Sequence, residues 1–203
     1  MLVFFDLGGV VVDVNLNWAR QAWARSTAQA PTEFNRIFLD SGLKDLIDRG
    51  QLSADAAIER VQQASETPVS AEQIRSCWSA CLRKRPSSTR LVHEVARKSR
   101  CAVLSNTDPI HSAWLEANTG INPAIEHWVY SYQCHALKPE PEIYRFALEQ
   151  LKIPATQALL IDDRAENIAA ARSMGMDTIH FDRLDQVVSA LAARDLLAVS
   201  WQP

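Results

Sequence analysis

Residues 2–13 read LVFFDLGGVVVD. Four apolar residues, Leu2 to Phe5, run without alternation into an acid, Asp6, and then a glycine pair, Gly8 and Gly9. A short continuous apolar run is the pattern of a strand buried on both faces, as in parallel sheets covered by helices on either side. An acid at the C-terminal end of such a strand stands where open α/β sheets place their ligands.

The pattern repeats further along. From about Ser88 onward, short apolar runs alternate with helical periods, the signature of a parallel sheet built from strand and helix units. CAVL (101–104) and ALLI (158–161) read as buried strands, TIHF (178–181) as a further strand, and IEHWVYS (125–131) as an edge strand. Helices are expected at 89–99, 109–119, 140–151 and 165–174, the last stopped by Gly175 in the position of a C-cap glycine. Between Asn15 and about Pro86 the strand pattern disappears, and Pro31, Gly42, Gly50 and Pro68 punctuate several short helices. Ser70 followed by Gln73 is a capping box, and Ser53 is an N-cap candidate. The expected fold is therefore α/β: a doubly wound, Rossmann-like parallel sheet (residues 1–15 and 87–203) with a small all-helical cap (16–86) inserted after the first strand. An insert there hangs over the C-terminal strand ends.

At 203 residues, 47% of them hydrophobic, the chain can bury a full core, and a net charge of -3 gives no electrostatic case for nucleic acid or an anionic lipid surface. No run approaches the roughly 18 apolar residues of a membrane span, and no signal-peptide pattern opens the chain, so a cytoplasmic location is expected. Cys77, Cys81, Cys101 and Cys134 lack the spacing of a zinc site; the first two, four apart in a helix, are expected to be buried together. A small-molecule substrate suits this composition better than a macromolecular partner.

Polar groups follow directly on three of the apolar runs: Asp6 on the first, Ser105 and Asn106 on CAVL, Asp162 and Asp163 on ALLI. If the strands are parallel neighbours, these side chains meet at one sheet edge, and Lys138, just before a helix start, reaches the same crevice. Three clustered carboxylates repel one another unless a cation lies among them, and an all-oxygen set suits Mg²⁺. A metal, a lysine and a hydroxyl around a free carboxylate are the parts that phosphoryl transfer requires.

These residues carry a resemblance. FFDLGGVVVD, VLSNTD, LKPEPEIY and LIDDRAENIAAARSMGM are similar, in order, to the four motifs of the haloacid dehalogenase-like hydrolase superfamily, and GLKDLIDRGQLSADAAIERV resembles its helical cap. The first motif looks like that of a branch of small bacterial phosphatases reading Asp-Leu-Gly. The resemblance implies that Asp6 is the nucleophile, forming an aspartyl phosphate. It implies that Ser105 and the backbone of Asn106 bind the phosphoryl group and that Lys138 neutralises it. Asp163, supported by Asp162, would hold Mg²⁺ with Asp6 and the Gly8 carbonyl, and the cap would cover the site, choose the substrate and close over it on linkers near 13–17 and 85–88.

Gly8 is a departure from most phosphatases of the superfamily, which carry there a second aspartate for general acid–base work; Asp13 and a metal-bound water are the candidates for that task. Two other functions fit the same residues: a binder of phosphate or of a partner protein without catalysis, and a 2-haloacid dehalogenase using Asp6 to displace halide. His111 and His135, near the motifs, are candidates for touching substrate. The tryptophans of the cap, Trp18, Trp23 and Trp78, are expected to pack in a core, and RKR (83–85) reads as a solvated helix end.

Overall fold

The computed structural model describes residues 1–198 and 201. Five parallel strands form the main sheet: β1 (Leu2–Phe5), β4 (Arg100–Ser105), β5 (His127–Tyr130), β6 (Ala158–Asp162) and β7 (Asp177–His180), in the order β5-β4-β1-β6-β7. Two short strands, β2 (Val12–Val14) and β3 (Leu82–Lys84), pair as an antiparallel ribbon. The cap runs through α1 (Leu16–Thr27), α2 (Pro31–Phe34), a π-wound stretch at Asn35–Asp40, α3 (Leu43–Asp48), α4 (Ala54–Ala64) and α5 (Ala71–Ser79). The core helices are α6 (Pro86–Ala96), α7 (Pro109–Asn118), α8 (Ser131–Cys134), α9 (Pro141–Leu151), α10 (Ala165–Ser173) and α11 (Leu184–Ala192). None of the described helices is long and apolar enough to cross a membrane.

The apolar runs are buried on both faces. Val3, Phe5, Val103 and Ile161 look toward α6 and α11, while Phe4, Ala102, Leu104 and Leu160 look toward α9 and α10, as the alternation of side chains along a strand requires. The chain moves from β1 outward to β4 and β5, then crosses back to β6 and β7 on the other side of β1. That reversal opens a crevice at the C-terminal edge beside β1. Phe5 is level with Val103 on one side and Ile161 on the other, so Asp6, Ser105 and Asp162 end three adjacent strands.

Three boundaries differ from the sequence reading. Arg83 and Lys84 of RKR lie in strand β3, pairing with Asp13 and Val12, and do not form a helix end. A three-residue strand with two exposed basic side chains has too few positions to display an alternation. The linkers to the cap are thus the paired strands of this ribbon. Helix α6 begins at Pro86 rather than at residue 89, because proline is suited to a first helical position, where no N–H is needed.

The cap builds its interior from aromatic rings. Phe38 stacks on Phe34 at 4.4 Å and meets Trp23 and Trp78 edge-on at 5.5 and 4.6 Å. Cys77 and Cys81 are buried beside them, whereas Trp18 is only partly buried and carries the Arg83 guanidinium at 4.8 Å. The expected caps form: Ser53 accepts from Ala56 N–H, and Ser70 and Gln73 make a reciprocal capping box. This aromatic interior is continuous with the core face of Val3 and Phe5, so cap and sheet share one apolar cluster. Replacing Phe38 by alanine removes the ring that three others touch, and urea unfolding should show a loss of about 3–5 kcal/mol in stability. A loss under about 1 kcal/mol would mean that the cap interior contributes little to the fold.

Candidate active site

A cleft of ≈ 500 Å³ opens at the C-terminal edge, lined by Asp6, Gly8, Gly9, Asp13, Val14, Arg85, Ser105, Asn106, Lys138, Asp163, Arg164 and Asn167. These belong to the loops at the sheet edge, to the ribbon and its flanks, and, for Asn167, to the first turn of α10; no residue of α1 to α5 is among them. The expectation that the cap covers the site is not met in this arrangement.

Lys138 is the electrostatic centre. It is 3% exposed, and its ammonium donates to Asp162 Oδ2 at 2.6 Å, the Leu104 carbonyl at 2.8 Å and Asp6 Oδ1 at 2.9 Å. Burial alone would favour the neutral amine, yet Asp6 and Asp162 hold its pKa above the ordinary lysine value. Asp6 responds the other way: burial pushes its carboxyl up to about 6, opposed by the Lys138 charge and assisted by Asp162.

The two adjacent acids ending β6 differ in surroundings. Asp162 is fully buried and does not line the cleft. Its Oδ1 accepts from Arg164 N–H and Asn167 Nδ2, both at 2.9 Å, and its Oδ2 from Lys138 and from Asn167 at 3.1 Å. Asp163 is partly exposed in the cleft, and burial together with Asp162 raises its pKa. Carboxylate oxygens of Asp6, Asp162 and Asp163 lie within 4.8 Å of one another. An all-oxygen cluster of this kind suits a hard divalent cation such as Mg²⁺, and Asp6 and Asp163 are the two that line the cleft.

Gly9 is where glycine is required. Its φ is +76°, and a Cβ would fall 1.9 Å from Asp163 Oδ2. At Gly8 a Cβ would meet only Val14 Cγ2, at 3.3 Å, and the backbone is ordinary. The Gly9 carbonyl accepts from the Arg85 guanidinium, which also holds Asp13 Oδ1 at 2.6 Å. Asn106 does not extend its side chain to the cleft as a free group: Nδ2 donates to the Lys138 carbonyl at 2.8 Å and Oδ1 accepts from Lys138 N–H at 2.7 Å, zipping the two loops together. Ser105, 3% exposed, ends β4 at the cleft wall.

Of the residues that the motifs single out, all except Asp162 line this cleft, and Asp162 lies directly behind it on Lys138. The two histidines do not reach it. His111 is buried under the cap, with Nδ1 2.8 Å from Asp108 and Nε2 2.9 Å from the Trp78 carbonyl; although burial opposes its charge, Asp108 drives its pKa up to about 10. His135 bonds the Arg49 carbonyl through Nδ1. Arg85, Arg164 and Asn167 line the cleft without having been singled out. Asn167 reaches the cleft from the first turn of α10, where its Nδ2 donates to Asp162; with the extended N-cap Arg164 between them, helical spacing from the two acids does not announce it. For Arg85 there was no signal, because only the unforeseen ribbon turns it toward Gly9.

Comparison with known proteins agrees with this geometry. The family model described as haloacid dehalogenase-like hydrolase matches residues 1–175. The chain belongs to the haloacid dehalogenase-like hydrolases. A D-ribitol-5-phosphate phosphatase of Bacteroides thetaiotaomicron is 27% identical over 189 residues, spanning 87% of this chain and 89% of that protein. A plasmid-borne phosphoglycolate phosphatase of Cupriavidus necator is 34% identical over 77 residues, 38% of this chain and 33% of the other. Among solved structures, a family enzyme of Bacteroides thetaiotaomicron in complex with magnesium and inorganic phosphate superposes with a TM-score of 0.81, at 22% identity, over 92% of this chain and 98% of that one. The L-2-haloacid dehalogenase of Xanthobacter autotrophicus superposes with a TM-score of 0.64 at 17% identity, over 96% and 82% of the two chains. At these identities the two superpositions speak for the haloacid dehalogenase-like fold.

The geometry at Gly9 separates the two glycines of the first motif. Gly9→Ala should force the Asp163 carboxylate aside, weakening Mg²⁺ binding measured by calorimetry, with about 1–2 kcal/mol of added backbone strain. Gly8→Ala should bind Mg²⁺ almost as the unmodified protein does. Equal affinity in both variants would contradict the placement of Asp163.

Proposed function

We propose that this hydrolase is a Mg²⁺-dependent phosphatase that cleaves small phosphate monoesters through an aspartyl phosphate on Asp6. The observation that carries this reading is the Lys138 ammonium, held between a cleft-lining carboxylate and a fully buried one. A lysine so placed has three protons, and the one on Asp6 is free to pass to a phosphoryl oxygen when substrate enters, while the Asp162 and Leu104 bonds keep the ammonium in place. The same exchange uncovers Asp6 Oδ1 for attack on phosphorus. As the bond from Asp6 to phosphorus forms, the bond to the leaving oxygen breaks and that oxygen takes its proton from solvent; water then attacks phosphorus, the bond from Asp6 to phosphorus breaks, and inorganic phosphate leaves the free carboxylate.

Ser105 and the backbone of Asn106 are assigned to the remaining phosphoryl oxygens. Asp6, Asp163 and the Gly8 carbonyl are assigned to Mg²⁺, which when bound supplies charge neutralisation for the oxygens in transfer. Asp162, with both oxygens committed to protein donors, supports the set through Lys138. The cleft holds one more carboxylate, that of Asp13, ion-paired with Arg85 at 2.6 Å. With glycine at position 8, Asp13 is the side chain we assign to accepting the proton of the attacking water. The donors and acceptors of Asp13, Arg85 and Arg164 in the cleft suit a hydroxylated substrate such as a sugar or polyol phosphate, in keeping with the ribitol-phosphate activity in the name of the 27% identical relative.

The test is phosphate release from an aryl phosphate and from a panel of sugar and polyol phosphates, with Mg²⁺ and with chelator. Activity should need Mg²⁺, and Asp6→Asn should lower it by on the order of 10³-fold or more. Activity equal in both proteins would remove the nucleophile assignment, and chloride release from a chloroacid in chelator would turn the reading to dehalogenation.

Asp13→Asn separates the two chemical steps. Turnover should fall about 10²- to 10⁴-fold, while a pre-steady-state burst of the phenol product remains, since attack by Asp6 does not use Asp13. Loss of the burst together with turnover would place Asp13 in the first step instead.

A further inference from the structure

The cap leaves the cleft unlined but grips the two loops that form it. Both contacts come from α3 and the residues directly after it. On one flank the Arg49 guanidinium holds the two oxygens of Glu140 with Nη1 at 3.1 Å and Nη2 at 2.7 Å, while its Nε lies 3.3 Å from Asp45. Glu140 in turn closes the turn that contains Lys138: its Oε2 accepts from Leu137 N–H at 3.2 Å, and its own N–H donates to the Leu137 carbonyl at 2.7 Å. On the other flank Lys44 is ion-paired with Asp48 and stands 3.9 Å from Asp108, the residue that ends the Ser105–Asp108 loop and also accepts from Trp78 Nε1 at 3.0 Å.

The backbone of this segment is seated as closely as its side chains. The Asp48 carbonyl accepts from the Ser131 hydroxyl at 2.7 Å, and the Arg49 carbonyl is bonded by His135 at 2.8 Å. Gly50 has φ +63°, and a Cβ on it would fall 2.2 Å from the Tyr132 carbonyl oxygen, so only glycine permits the approach. A cap resting loosely on the core has no need of such a fit.

We propose that α3 acts as a positioning element for the chemistry, with Arg49, through Glu140, fixing the turn that presents Lys138. This rests on the reading of Lys138 as the phosphoryl-binding lysine. Glu140 is separated from Lys138 only by Pro139, whose ring fixes φ, so a displacement of the Glu140 carboxylate is passed to Lys138 with little slack. Through the Asn106 zipper it passes to the phosphate-binding loop as well. The fork of arginine sets both distance and angle of its partner, which a lysine cannot do. The cap thereby takes part in catalysis without touching substrate, by holding the site in shape.

The experiment compares Arg49→Ala, Arg49→Lys and Glu140→Gln by steady-state hydrolysis of an aryl phosphate and by amide hydrogen exchange, both in Mg²⁺. For Arg49→Ala, kcat should fall about tenfold or more with KM within about twofold, as expected when a reacting group is misplaced rather than lost. Exchange at Leu137 and Lys138 should quicken while that of β1 stays unchanged. Glu140→Gln keeps an oxygen for Leu137 N–H but loses the charge, and should reproduce the effect; Arg49→Lys should recover part of it. Unchanged kcat and unchanged exchange at 137–138 in Arg49→Ala would overturn the inference, and so would a general quickening that includes β1. If the unmodified protein releases no phosphate from any ester, the phosphatase reading fails, and the exchange comparison alone still decides whether Arg49 fixes the turn.

Discussion

The structure depends on one buried ammonium. Lys138 is withdrawn from water at the end of a sheet whose other buried side chains are almost all apolar, and moving a charge there costs several kcal/mol unless opposite charge is already in place. Asp6 and Asp162 supply that charge from the neighbouring ends of β1 and β6, and the Leu104 carbonyl supplies the third acceptor from β4. Asp162 and the Leu104 carbonyl anchor the ammonium from within the protein, and Asp6 is its acceptor on the cleft side. The parallel order of β4, β1 and β6 is what brings them to one point, so the fold's topology and the electrostatics of the cleft are the same constraint seen at two scales.

A site arranged around a charge of this kind is preformed, and the rest of the molecule serves to keep it so. The ribbon of β2 and β3 brings Asp13 and Arg85 to the rim. Gly9 lets the first-motif backbone pass beneath Asp163 without a clash. The cap, whose aromatic interior runs on into the sheet's apolar face, leans on the loops that carry Ser105 and Lys138 instead of reaching over the substrate. The rim of the cleft is built by the core and the ribbon, with Asp13, Val14, Arg85 and Arg164 among its lining residues.

What could be read in advance was whatever local pattern determines. Leu2–Phe5, CAVL and ALLI are short and apolar because both faces of the sheet are covered, and the acids after them stand out for that reason. The capping box at Ser70 follows from local spacing alone; Cys77 and Cys81 are both buried as expected, but α5 ends at Ser79, so Cys81 is buried in the turn leading to β3 and not on a shared helix face. What escaped was set by long-range pairing. The ribbon strands are three residues each, and their partners lie seventy residues apart in the chain, as the pairing of Val12 with Lys84 shows. Two consecutive acids at 162 and 163 announce a charged strand end, yet alternation sends one behind the cleft and the other into it, and no residue count says which. The placing of His111 on Asp108 under Trp78 depends on where the cap docks, which is likewise invisible locally.

The most direct measurement is the mass of the peptide that carries Asp6, taken after rapid acid quench of the protein turning over a phosphate ester in Mg²⁺. The expected result is the added mass of one phosphoryl group on that peptide, with fragmentation placing it on Asp6. A phosphoryl group found on another residue, or on none while phosphate is being released, would contradict the role assigned to the carboxylate at the end of β1.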